Sequence, residues 1–169
     1  MRKILYILLL LPLLVASQHK AIDGKRIKNH NLLWDLKVLS NSPEVIWKDT
    51  LSPVRNLLYS SVAYQGKPSQ VFAWYSNPDL LKGVELKSHR KFPAVVLVHG
   101  GGGKAYKEWV EMWAARGYAA IAMDLSGNGA DGKKLQHPGP DQDDKFKFQA
   151  ISTGNIKDVW TYHAVSSVI

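Results

Sequence analysis

Apolar and polar positions separate most clearly across residues 92–132, FPAVVLVHGGGGKAYKEWVEMWAARGYAAIAMDLSGNGADG. Residues 94–98 form a short apolar run rich in β-branched side chains, the pattern of a buried strand. The run stops at His99 and four glycines, Gly100 to Gly103. Tyr106, Trp109, Val110 and Trp113 then recur at helical spacing within 104–116, and Gly117 is a natural stop for that helix. These aromatics are expected in the core. A second apolar run, 118–123, closes on Asp124 and another glycine-rich loop. Its small side chains suit a central strand covered on both faces. Strand, glycine loop, helix, strand predicts a parallel βαβ unit, hence an α/β fold. The glycine loop falls at the C-terminal end of its strand, where open α/β sheets place their ligands.

Upstream, residues 54–63 alternate in part, 65–68 carry a turn signal, and 69–75 (SQVFAWY) make a good strand. Together they predict an antiparallel β-hairpin leading into the parallel unit. Residues 77–91 are expected to form a connecting loop, 19–31 are polar, and 32–53 show mixed periodicity that defines no element. Downstream, 126–150 predict a polar loop containing Pro138, Pro140, Asp141, Asp143 and Asp144. It lacks the glycine and terminal glutamate of an EF-hand, so a solvated loop is expected rather than a calcium site. Thr153 or Asn155 is placed to cap a helix with Ile156, Val159, Trp160, His163, Ala164 and Val168 on its apolar face. His163 on that face is expected to be a satisfied, partly buried histidine. No strand follows this helix in the 169 residues, so the sheet is expected to be cut off partway through.

The remaining sequence changes the picture in two ways. Residues 1–17 have a secretory signal pattern: Arg2 and Lys3, an apolar stretch over 4–16, and a small-residue cleavage site before Gln18. The stretch falls short of the ~20 residues that span a bilayer; an uncleaved anchor is the alternative. The expected organisation is a leader at 1–17, an N-terminal extension at 18–53 and a partial domain at 54–169, in a secreted or periplasmic protein with no stable membrane association after cleavage. Net charge is +8, but the basic residues are scattered and match no nucleic-acid-binding pattern, so no nucleic-acid partner is expected. The absence of cysteine excludes disulfides, Cys-ligated zinc and a cysteine nucleophile.

Two glycine motifs fail on inspection. Gly103-Lys104 has Val98 where a phosphate loop needs glycine, and Ala105 where it needs Ser or Thr. Gly127-x-Gly129-x-x-Gly132 fits a dinucleotide fingerprint formally, but Pro138 and Pro140 follow where its helix should stand. His-Gly-Gly-Gly directly after a buried strand does fit the oxyanion loop of lipases and esterases. A tetrahedral intermediate places negative charge on the former carbonyl oxygen. Backbone N–H groups must then approach it without a Cβ in the way.

PAVVLVHGGGG followed by KEWVEMWAARGYAAIAMDLSGNG resembles the α/β-hydrolase superfamily, and is most similar to its secreted acetyl xylan esterase, dienelactone hydrolase and prolyl-oligopeptidase members. The resemblance implies the N-terminal part of that fold and an ester hydrolase needing no metal or cofactor. It further implies a small-molecule or polysaccharide ester as substrate, plausibly the acetyl groups of plant polysaccharide. By position, Gly101 is the first oxyanion donor, with Gly100 and Gly102 beside it. His99 supports the loop, and Asp124 fixes the loop around Gly127 and Gly129. The chain departs from the family in one large respect. It contains no G-x-S-x-G, and Ser126 in Leu-Ser-Gly-Asn lacks the preceding glycine, so the Ser-His-Asp triad is absent and the chain is expected to be inactive by itself.

Two other classes fit parts of the sequence. A non-catalytic secreted carbohydrate-binding protein would use exposed tryptophans, with Trp34, Trp47 and Trp74 as platform candidates once Trp109, Trp113 and Trp160 are assigned to helix faces. A prolyl-oligopeptidase-type peptidase fragment shares the same loop.

Overall fold

The computed structural model describes residues 33–84, 90–143, 147 and 154–169. The chain divides into two compact units, Met1–Leu32 and Leu33–Ile169, and only the second is described. The leader at 1–17, Asp144 and Thr153 lie outside the described residues.

Two ten-residue strands form the first half of the fold. β2 (Arg55–Tyr64) and β3 (Lys67–Ser76) pair antiparallel through a two-residue turn. Gln65 and Gly66 both take positive φ, 50° and 74°. That is the turn whose twist matches a right-twisted hairpin. Asp158 Oδ1 accepts the Gln65 N–H at 3.1 Å and steadies this costly non-glycine conformation. The stretch that defined no element in the sequence contributes a short helix, α1 (Leu36–Leu39), and an edge strand, β1 (Val45–Asp49), which pairs with β2. The sheet therefore reaches back to Val45. Asn77 caps the four-residue helix α2 (Pro78–Leu81), with its side chain accepting from Asp79 N and Leu80 N, inside the span expected to be loop.

The second half is the βαβ unit. β4 (Ala94–Leu97) leads through the glycines to α3 (Lys107–Ala115), which returns the chain to β5 (Ala119–Met123). β5 runs parallel to β4 and antiparallel to β3, giving the order β1-β2-β3-β5-β4 in a mixed five-stranded sheet. β5 is interior and alternates cleanly. Ala120 and Ala122 pack with Val54 and Val110 of α3, together with Trp74, Val95, Leu97 and Trp113. Ile121 and Met123 face the opposite core of Leu57, Tyr59, Val71, Ala73 and Leu125. That core is covered by the last helix, α4 (Trp160–Val168). Helices on both faces of a mixed sheet make this an α/β-type arrangement.

Two residues depart from the expected helix faces. Trp109 is 37% exposed and stacks on Tyr106 at 4.6 Å, because α3 turns Val110 and Ala114 inward instead. Ile156 is exposed because residues 156–158 form a separate 3₁₀ turn, and extended Val159 (ψ 148°) breaks its phase with α4. Asn155 caps that 3₁₀ turn through Lys157 N, not α4 itself. Among the described residues, no helix is long and apolar enough to cross a membrane.

Candidate functional site

The parallel pair brings the C-terminal ends of β4 and β5 side by side, and each ends in a glycine-rich loop. His99 joins them. Its Nε2 lies 3.0 Å from Leu125 N, and its Nδ1 lies 2.8 Å from Gly100 O. An amide N–H only donates, so Nε2 is the acceptor; the proton therefore sits on Nδ1 and is donated to the Gly100 carbonyl. Both ring nitrogens are used, and the ring is buried. His99 thus acts as a strut between the loops, with no nitrogen left for proton transfer.

The glycines form a defined turn. Gly103 N donates to Gly100 O at 3.0 Å, and Gly102 has φ +72°. Positive φ at the third position alone defines a type II turn, which requires glycine or asparagine there. Gly103 is required for a different reason. A Cβ on it would stand 2.8 Å from His99 Nδ1 and 3.0 Å from His99 Cβ. Gly100 and Gly101 carry neither requirement. Their φ values are not positive, and a Cβ on either would meet nothing within 4 Å.

The N–H groups divide similarly. Gly102 N–H donates to Gln142 Oε1 at 2.8 Å, and Gly103 N–H closes the turn. The N–H groups of Gly100 and Gly101 have no partner among the described residues. Both residues are exposed. Of the three candidate oxyanion donors, Gly100 and Gly101 are open and Gly102 is spent on Gln142.

The second loop is held by Asp124, 2% exposed, whose Oδ1 accepts from Ser126 N at 2.8 Å and Asn128 N at 2.9 Å. Beyond it, Leu135 N donates to Gly127 O and Gly129 N to Lys133 O, closing a small hairpin. Lys134 Nζ lies 2.6 Å from both Ser126 O and Asp141 Oδ2. Burial pushes the Asp141 carboxyl up, but the hydrogen bond from Lys134, the Gln142 N–H and the Lys134 charge outweigh it and hold it below its ordinary value. A polar cleft of about 560 Å³ lies between Gly102–Ala105 and Asn128–Gly132, with Phe72 and Trp74 also in its lining.

Other candidates are placed elsewhere. His163 is buried, its Nε2 lies 3.0 Å from Lys157 O, and its ring stands edge-on to Tyr64 and Tyr162. Burial lowers its pKa below the ordinary histidine value. Trp34 stacks on Tyr162 and donates to its carbonyl, Trp47 meets Tyr75 edge-on, and Trp74 lies beneath the Lys107 ammonium. They form no common platform. Among the described residues, no serine hydroxyl is hydrogen-bonded to a histidine ring; the Ser52 hydroxyl bonds the Asp49 carboxylate, at the end of β1 on the opposite edge of the sheet from β4. No cluster of three metal-ligating side chains occurs among the described residues. Gln142 was invisible in the sequence: it lies in a polar loop without periodicity, forty positions from the turn it holds.

Fold and site together define an α/β-type unit with a glycine turn at the C-terminal ends of its parallel strands. No protein-family model, curated protein or solved structure matches the chain.

Proposed function

We propose that the Leu33–Ile169 unit is the acyl-oxygen-binding side of a serine ester hydrolase of the α/β-hydrolase type. The observation that carries this reading is that the fold does not need glycine at Gly100 or Gly101. A Cβ at either position would meet nothing within 4 Å, yet the N–H groups there have no acceptor among the described residues. Bare backbone at an exposed strand end suits a ligand that must come close to it. In this role Gly101 N–H donates to the acyl oxygen, whose charge grows as the tetrahedral intermediate forms. His99 holds that turn against the second loop, and Asp124 fixes the second loop in turn. Antiparallel strands leading into a parallel pair also agree with this fold.

The chain carries no G-x-S-x-G, so it binds the acyl group without cleaving the ester. The substrate class we propose is an acetylated polysaccharide met outside the cytoplasm. Saturation-transfer NMR with methyl acetate tests the binding step: saturable transfer to the acetyl methyl is expected, and its absence would overturn the reading. Turnover of p-nitrophenyl acetate blocked by a serine-directed inhibitor would contradict the missing nucleophile.

A further inference from the structure

Gln142 is 7% exposed, and its two side-chain polar atoms are treated very differently. Oε1 accepts the Gly102 N–H at 2.8 Å. The orientation is fixed by chemistry, since an amide hydrogen faces an oxygen and not an NH₂ group. Nε2 shares the carboxamide carbon with Oε1, so it sits at the same turn. It is sealed from solvent and has no hydrogen-bond partner among the described residues. A buried donor without an acceptor is costly, and a native protein that retains one points to a partner still to arrive. Methionine would fill a similar volume without an orphaned donor, at the loss of the Gly102 acceptor.

The carboxamide is also held from behind. Gln142 N–H donates to Asp141 Oδ1 at 2.6 Å, and Asp141 Oδ2 is paired with Lys134, which also reaches Ser126 O. The second loop therefore carries Gln142 to the first. Its free donor lies beside the turn that leaves the Gly101 N–H open. Two N–H donors at one turn suit an oxygen that only accepts, with a lone pair for each: a carbonyl or carboxylate oxygen.

We infer that Gln142 is the side-chain donor of the glycine-loop site, with Oε1 pinning Gly102 and Nε2 donating to the acyl oxygen held by Gly101 N–H. The inference rests on the acyl-binding reading of that turn. A donor kept dry until the ligand enters meets no competition from water. A Cβ at Gly100 or Gly101 would meet nothing within 4 Å, so that side of the turn has space for a ligand.

The test is a titration of the ¹⁵N-labelled full chain with methyl acetate, following the Gly101 amide and the Gln142 side-chain NH₂ pair. Both are expected to move along one saturable curve, and Gln142→Met, which removes the ligand's donor together with the Gly102 acceptor, is expected to weaken binding at least about tenfold. If Gly101 moves while the Gln142 pair does not, or if Gln142→Met binds as tightly as the native chain, the inference is overturned and the acyl-binding reading stands. If neither signal moves, both fall. Should Gln142→Met lose its dispersed spectrum, Gln142→Glu carries the comparison, because it keeps an acceptor for Gly102 and removes the amide donor.

Discussion

Four consecutive glycines serve three different purposes, and substitution separates them. Gly103→Ala drives a methyl group into the buried His99 ring, so it should destabilise the fold by about 1–3 kcal/mol. Gly101→Ala meets nothing, and its cost should stay within about 0.5 kcal/mol. Chemical denaturation of the two variants checks the contrast; equal losses would contradict the division. His163 supplies a pH test. Its surroundings are the Tyr64 and Tyr162 rings, the Lys157 carbonyl, the Gly139 backbone and the Asp158 charge. Desolvation lowers its folded pKa, so the unfolded chain binds more protons as pH falls past about 6.5. Its contribution is therefore present above that pH and is lost on descending through the folded pKa. His163→Gln should flatten this part of the stability profile, and an unchanged slope in the variant would exclude His163 as its source. At this scale the sequence is legible where chemistry is local. His99 and Asp124 stand at strand ends, and their spacing to the glycines exposes them. Gln142 acts across forty positions, and no local pattern encodes such a contact.

The elements were legible in proportion to their periodicity. β4, α3 and β5 follow from 94–98, 104–116 and 118–123 because apolar positions recur there at one clear period. The alanines of β5 mark an interior strand, and Ala120 and Ala122 are buried beneath Val110. Val110 is fully buried, so Val110→Ala should cost about 2 kcal/mol, from two methyl groups plus the void they leave. A loss near zero in thermal unfolding would mean that α3 does not close that core. β1 escaped the sequence because Val45, Ile46 and Trp47 are all partly exposed on an edge strand, where no alternation is imposed. The helix at 104–116 was expected too early. Residues 100–106 are spent on the turn and its exit, and Tyr106 enters α3 without a side-chain cap.

Across the whole described unit, the sheet ends in two edge strands, β1 and β4. β4 has no strand on its outer edge among the described residues, and Val96 and Val98 are 48% and 47% exposed there. An apolar groove of about 350 Å³ runs beside it, lined by Val98, Trp160, Val165, Val168 and Ile169. Open apolar edges pair with other chains. The protein should therefore self-associate with rising concentration, and Val96→Lys should shift it toward monomer in sedimentation velocity; a native chain that stays monomeric at high concentration would contradict this. At the C-terminal end of β4, we propose, the turn offers its N–H to an acyl oxygen. Gly101 occupies the second position of a type II turn, the place where proline fits without strain. Gly101→Pro thus deletes one N–H and leaves the turn intact, with stability equal to the native chain or up to about 1 kcal/mol higher. The most direct measurement is methyl acetate binding to this variant beside the native chain. A folded variant that has lost the ligand is expected, whereas a folded variant that binds as tightly as the native chain would contradict acyl binding at the Gly101 N–H.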